Sequence, residues 1–312
     1  MKVTAKTENE NIATVYIAEL KNGGLIEFVE SVQPPLLIEK KWVLIVSTLC
    51  GCPVDCTFCD AGGSFKKKLS EEEIFSQIDY MVTKKFPDRN IQTEKFKIQF
   101  SRVGEPSFNP AVLDVLENFY KRYRIENFIP SISTIAPKGT ESFFERLLEI
   151  KKNLYEKNFQ LQFSLHTTDL QKRDEMIPVK KWSFEEIAMY SEKFYHPEGK
   201  KITLNFALAE ENPCDSNVLK KYFNPEIFLI KFTPLNPTYK AIKNNLKSYI
   251  KQDVEYYEVI DNIKEAGYET LISIGELEEN KIGSNCGQYI TSISKAGVTP
   301  EDSYSYKIKE VI

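Results

Sequence analysis

The feature that most limits what this chain can fold into is a unit that recurs six times: a short apolar strand, a polar or glycine-bearing loop, then an amphipathic helix. The strands are predicted at Trp42–Thr48, Lys95–Ser101, Phe128–Thr134, Phe159–His166, Ile202–Leu208 and Ile227–Phe232. Helices are expected from Ser70, an N-cap serine followed by Glu71, Glu72 and Glu73, and near 109–123, 140–150, 183–195, 216–223 and 250–266. Strands read as apolar on both faces imply a parallel sheet covered by helices. A further strand at 269–274 is expected to carry the chain back over the open end. Ahead of the first unit, residues 13–31 alternate about Asn22-Gly23-Gly24 as a hairpin that Pro34-Pro35 ends. The fold class expected is α/β, a partial (β/α)6 TIM-like barrel with a small N-terminal β-hairpin. Its parts would be residues 1–40 for the hairpin, 41–290 for the barrel with a C-terminal cysteine segment, and 291–312 for a tail. In such barrels chemistry sits on the loops after the C-terminal strand ends.

The first of those loops carries Cys52, Cys56 and Cys59, a C-x3-C-x2-C spacing directly behind a strand. Three thiolates can hold three irons of a [4Fe–4S] cube and leave the fourth open to an outside ligand. The competing reading is structural zinc with Cys50 as fourth ligand, which the tight Cys50-x-Cys52 pair and the lack of a second knuckle disfavour. Crowding four of six cysteines into residues 50–59, with no export signal ahead of them, favours metal over disulfides. The N-terminus lacks an apolar segment behind a basic start, so a cytoplasmic protein with no membrane partner is expected. A net charge of −4 gives no overall attraction to phosphate. Lys66-Lys67-Lys68 is the one local basic run near the cysteines, and its plain reading is a solvated loop leading into a helix.

From the cysteine loop onward the sequence resembles the radical S-adenosylmethionine (SAM) methyltransferases of the RlmN/Cfr type, which act on adenine in RNA. The resemblance runs over about residues 25–290 as ordered short motifs. It implies a barrel of the radical SAM type whose open iron chelates SAM, and an electron from the cluster that splits SAM into methionine and a 5′-deoxyadenosyl radical. Phe58, before the last cysteine, fits the aromatic whose backbone faces adenine. Val103-Gly104-Glu105-Pro106 looks like the GEP segment, with Glu105 toward the methionine ammonium. Ser133-Thr134 resembles the family's ST segment, with Ala136 where glycine is usual, and Ser164-Leu165-His166 its SLH motif. For His166 the plain reading is a hydrogen-bonded barrel residue. Asn236, in Pro234-Leu235-Asn236-Pro237, fits the asparagine of the NP turn. Arg173 to Pro178 fits the family as scaffold. Asn285-Cys286-Gly287-Gln288 is similar to the A-C-G-Q segment whose cysteine accepts a methyl group, as a nucleophilic thiolate can. Glu27 aligns approximately with a proton acceptor, against the plain reading of a surface strand residue.

Two departures divide the functional reading. The family's second cysteine stands seven residues before the cluster motif, where this chain has Ile45. Cys50 lies five residues on, about 16 Å along a regular strand and on its opposite face; Cys214, after the fifth strand, is a further candidate. The family's N-terminal helical RNA-binding domain has no counterpart in the forty residues before the first strand. The first reading is therefore an RlmN/Cfr-like methyltransferase acting through Cys286, with RNA as a partner. The alternative is a radical SAM enzyme on the same scaffold that modifies a peptide or small molecule without the two-cysteine cycle. A redox-sensing iron–sulfur or zinc protein is disfavoured, because it has no use for a SAM pocket. The resemblance also implies an electron donor such as flavodoxin or ferredoxin, and a monomer is expected.

Overall fold

The computed structural model describes residues 1–32, 36–251, 254, 257–275, 277–284, 289–290 and 304–311. Its strands are β1 (Lys2–Asn9), β2 (Ala13–Glu19), β3 (Leu25–Val32), β4 (Trp42–Val46), β5 (Leu49–Cys50), β6 (Lys67–Lys68), β7 (Phe96–Phe100), β8 (Phe128–Thr134), β9 (Gln160–Ser164), β10 (Ile202–Ala207), β11 (Phe228–Thr233), β12 (Glu269–Ile272) and β13 (Lys309–Glu310). The helices are α1 (Glu71–Lys85), α2 (Ala111–Arg122), α3 (Glu141–Ile150), α4 (Leu170–Met176), α5 (Phe184–Phe194), α6 (Ser216–Tyr222), α7 (Tyr239–Lys243), α8 (Glu258–Glu265) and α9 (Leu277–Ile282). No described helix is long and apolar enough to cross a membrane.

One sheet orders its strands β12-β11-β10-β9-β8-β7-β4-β3-β2-β1-β13. The pairs from β4 through β7 to β12 are parallel, the barrel part, and those from β4 through β3 to β13 are antiparallel. The expected hairpin is thus a three-stranded extension, welded to the barrel by the β3–β4 register Val29↔Ile45. The late strand does not cross the open end. As β12 it pairs with β11 in parallel, Leu229 opposite Glu269, and extends the barrel to a seventh parallel strand. Pro34-Pro35 lies outside the described residues.

Local chemistry sets the helix starts. Ser70 Oγ accepts from the Glu73 amide at 3.2 Å, and the Glu73 carboxylate accepts from the Ser70 amide at 2.9 Å. The same reciprocal cap opens α5 at Ser183 and Glu186. Of the helix expected at 250–266, the described residues form α8, and the Lys251 amide donates to the Tyr257 hydroxyl, at 2.6 Å, and not to a helical carbonyl.

The strands are not apolar on both faces. In β7, Phe96, Ile98 and Phe100 are fully buried in the core shared with the helices, while Lys97 and Gln99 between them face the other way. The same alternation puts Ser131 on β8, Gln162 on β9, Asn205 on β10 and Lys231 on β11 inside the barrel. On the antiparallel wing the inner face is apolar instead. Val15, Ile17 and Val29 are buried against Ile282, Tyr289 and Tyr304, which cover that part of the wing.

Candidate functional site

The cysteine loop begins with a change of direction at Gly51. Its φ is +73°, and a Cβ there would fall 2.1 Å from the Ser64 carbonyl oxygen, so only glycine fits. The turn sends neighbouring thiols to different places. Cys50 Sγ donates to the Leu25 carbonyl at 3.4 Å and lies in the main core. Cys52, Cys56 and Cys59 share a separate apolar pocket with Val54, Ala61, Val103, Ile135, Met176 and Ile177. Cys50 is therefore held away from the other three, which removes the fourth ligand of a zinc reading and its use as a substitute for the missing thiol at Ile45.

Burial pushes the Cys52 thiol up to about 11. Cys56 is pushed well above the ordinary thiol range by burial first, then by Cys59, Cys52 and Glu105. Three thiols so placed cannot all ionise unless a cationic group compensates them. That donor set fits a [4Fe–4S] cluster held by Cys52, Cys56 and Cys59.

Every strand-end loop around the cysteines is bolted to them or to a neighbour. Asp60, directly behind Cys59, is buried; its carboxylate accepts from the Tyr239 and Lys240 amides at 3.1 and 3.0 Å, at the N-terminus of α7. Thr238 caps α7 by accepting from the Ala241 amide at 3.0 Å, and donates its hydroxyl to the Phe58 carbonyl at 2.7 Å. Lys240 pairs with Asp55 inside the C-x3-C stretch. The Thr57 amide donates to the Met176 carbonyl at 3.0 Å, tying in the end of α4. Sequence reasoning missed Asp60, Thr238 and Lys240. The Thr238-x-x-Ala241 cap was the legible signal, but its partners lie about 180 residues away.

Glu105 is buried and fully engaged. One carboxylate oxygen accepts from the Ser107 amide, the Ser107 hydroxyl and the Thr134 hydroxyl at 3.1, 2.7 and 2.5 Å, and the other from the Ile135 amide at 2.9 Å. Burial raises its pKa against the pull of these bonds. Its chemistry here is to lock the β7 loop to the β8 loop, and an ammonium reaching it would have to share an occupied acceptor. Gly104, at φ +104°, is shaped by Leu49: a Cβ would lie 2.5 Å from the Leu49 Cγ. Ala136 adopts φ +52°, the left-handed conformation for which glycine is suited.

His166 ends the β9 motif at φ +66° and is buried. Its Nδ1 accepts from the Ala207 amide at 3.1 Å, which leaves the ring hydrogen on Nε2 as a donor. The ring meets Phe58 edge-on, with centroids 4.8 Å apart, and so joins the β9 loop to the cysteine loop. Burial, then the nearby Arg173 charge, depresses its pKa to about 3. The unfolded chain therefore binds a proton near 6.5 that the folded chain refuses, and stability falls as pH falls from about 6.5 toward 3. The expected loss between pH 7 and pH 5 is about 2 kcal/mol from this group. His166→Asn keeps an acceptor and tolerates the backbone, so its urea-denaturation free energies at the two pH values should differ by about 2 kcal/mol less than those of the parent. Equal differences for the two proteins would refute a neutral His166.

Of the other expected contacts, Ser133, Ser164 and Asn236 are half-buried at strand ends or in the following loop, and the Leu165 side chain is buried in the core. Glu27 is fully buried, not a surface residue. It pairs with Arg102 at 2.7 Å and accepts from the Ile290 amide at 2.7 Å. Arg102 in turn donates to the Gly283 and Ser284 carbonyls at 2.7 and 3.2 Å. Cys286 lies outside the described residues. Ile45 packs against the apolar cluster that contains Tyr289 and Tyr304. Cys214 is buried, its thiol raised by desolvation, in the wall of a separate cavity of about 520 Å³ with Asp169, Lys172 and Tyr249. Lys66 and Lys68 are solvated, and Lys67 pairs with Glu73 at 2.6 Å.

No family model matches the chain. A probable dual-specificity RNA methyltransferase RlmN of Pseudothermotoga lettingae is 26% identical over 263 residues, which cover 78% of this chain and 68% of that one. The dual-specificity RNA methyltransferase RlmN of Aliarcobacter butzleri is 25% identical over 305 residues, 91% of this chain and 82% of that one. A radical SAM methyltransferase from Sphaerobacter thermophilus shares the fold, with a TM-score of 0.65 over 88% of this chain and 78% of that one at 16% identity. The chain is thus similar to RlmN-named methyltransferases over most of its length and shares the fold of a radical SAM methyltransferase. Another relative, from Thermotoga neapolitana, is 29% identical over 72% of this chain, and the chain spans 62% of that protein's length.

Proposed function

We propose that this enzyme is a radical SAM methyltransferase that acts through Cys286. The observation that carries the reading is the gathering of Cys52, Cys56 and Cys59 in one pocket, braced by the loops that bear Glu105, His166 and Asn236. Cys52, Cys56 and Cys59 would hold a [4Fe–4S] cluster there, which would supply one-electron reduction of SAM. The chain's own residues order the site around it. Asp60 and Thr238 fix the cysteine loop, Glu105 fixes the β7 and β8 loops, and His166 offers a neutral N–H donor. Gly104, Ser133, Ser164, Leu165 and Asn236 contribute backbone or side-chain contacts to SAM on this reading, and the Phe58 backbone, whose carbonyl is taken by Thr238, faces the adenine.

Arg102 holds Gly283 and Ser284, and Glu27 holds Ile290, described residues that flank 285–288. Ile45 supplies hydrocarbon where the family has its second thiol, so the step that frees product from Cys286 differs from the two-cysteine cycle. RNA is the substrate class that the RlmN-named relatives suggest, and flavodoxin or ferredoxin the class of donor.

Two measurements test the reading. Anaerobically reconstituted protein given SAM and a reductant should release 5′-deoxyadenosine; none from protein that holds an intact cluster removes the radical chemistry. After incubation with SAM, the peptide containing Cys286 should be heavier by one methyl or methylene group, and an unmodified peptide removes the cysteine's role while leaving SAM cleavage standing.

A further inference from the structure

The short helix α7 and its flanks grip the cysteine loop from about 180 residues further along the chain. Thr238 donates to the Phe58 carbonyl at 2.7 Å, the Tyr239 and Lys240 amides donate to Asp60 at 3.1 and 3.0 Å, and the Asn244 side chain donates to the Thr57 carbonyl at 2.6 Å. The Lys240 ammonium completes the series on Asp55. Every residue from 55 to 60 other than the two cysteines is thus bonded to the segment 238–244.

Lys240 is held at both ends: its backbone amide behind Cys59, and its ammonium ahead of Cys56. The ammonium also lies over Gly62. A Cβ there would come 2.5 Å from the Asp55 Cα and 2.8 Å from the Lys240 Nζ, so glycine is what lets these groups close together. Gly62 in turn donates its amide to the Cys59 carbonyl at 3.2 Å and pairs with Cys52 in an isolated bridge. The cation therefore sits against residues that adjoin all three thiols.

A fully solvated lysine–carboxylate pair contributes little. Here the Lys240 side chain is 23% exposed and that of Asp55 is 54% exposed, so water screens the anion more than the cation. The Cys56 thiol reflects this: burial first, then Cys59, Cys52 and Glu105, raise its pKa, and Lys240 pulls it the other way. Lys181 also acts on Cys56, but its bonds go to Asp174 and to the Ile177 and Val179 carbonyls, outside the cysteine loop.

We propose that Lys240 is a positioning residue of the iron–sulfur site, which fixes the stretch carrying Cys56 and Cys59 and holds a cation where it favours the reduced state of a cluster bound there. Reduction adds one electron from an external reductant and hence one negative charge, which a fixed ammonium nearby attracts, and local charge is one of the determinants of such potentials. This role rests on the cluster reading above and is independent of whether Cys286 accepts a methyl group.

The test is a mediated redox titration of the anaerobically reconstituted full chain, followed by the electron paramagnetic resonance signal of the reduced cluster. Lys240→Met should move the midpoint to more negative potential, so that the reduced-to-oxidised ratio falls several-fold at the parent's midpoint. Lys240→Arg, which keeps a cation for Asp55, should recover most of the shift. Lys243→Met removes an exposed charge from the same helix and should leave the midpoint in place. An unchanged midpoint in cluster-loaded Lys240→Met, a shift shared in full by Lys240→Arg, or an equal shift in Lys243→Met overturns the proposal. Where Lys240→Met holds no cluster, Lys240→Gln, whose amide can still donate to Asp55, gives the same decision. A parent that binds no cluster removes the cluster reading and the role of Lys240 together, whereas an unchanged midpoint in a loaded variant removes only the latter.

Discussion

Cys56→Ala, carried through anaerobic reconstitution with iron and sulfide, is expected to release no 5′-deoxyadenosine above background and to lose the visible absorbance of the reconstituted parent. The thiol is half-buried beside Cys52 and Cys59 against Val54, Ala61 and Val103, and no other described thiol lies there to replace it. Cys50 is turned into the core behind Gly51, and Cys214 belongs to the β10 loop. Losing the initiator forfeits at least about a millionfold of rate, the low end of what enzymes supply over the uncatalysed reaction. Retention of SAM cleavage by Cys56→Ala would mean that the three cysteines do not form the centre. Because the substitution removes a desolvated thiol and leaves an apolar pocket, the fold should survive it, and near-ultraviolet circular dichroism of the variant provides the control.

Arg102→Met is expected to lower the unfolding free energy by about 3–5 kcal/mol, the usual penalty for leaving one half of a buried ion pair uncompensated. The side chains of Arg102 and Glu27 are 2% and 0% exposed, and burial already raises the Glu27 pKa against the opposing pull of Arg102. The double replacement Glu27→Leu with Arg102→Met should recover much of the loss, since no charge then remains to be buried. Urea denaturation of the parent and the two variants measures the effect. A single variant as stable as the parent would show that the pair is not closed to water in solution.

The strand–loop–helix repeat was legible because the core-facing half of each strand is strongly apolar, as in Phe96, Ile98 and Phe100. The polar half was passed over for the same reason: Lys97 and Gln99 look incidental in a run that reads as a buried strand. β1 was not expected, since its burial alternates only weakly, and β13 is two residues long. The cysteine loop could be placed from its spacing alone. The grip on that loop could not, because Asp60 and Thr238 bond to partners about 180 residues away, and nothing local marks such a pairing. Glu105 shows a different limit. The sequence identified it as an acceptor in a strand-end loop, but not that Ser107, Thr134 and Ile135 would supply its donors.

The pairing of β1 with β13, Ala5 opposite Glu310 and Lys6 opposite Lys309, brings the two ends of the described chain together on one sheet edge. Trimming either end by about ten residues would strip a strand and leave a row of unpaired backbone amides and carbonyls, the kind of edge on which chains stack into aggregates. For handling the protein, this means that a cleavable tag belongs beyond a spacer at either end, and that a core obtained by proteolysis should retain both β1 and β13.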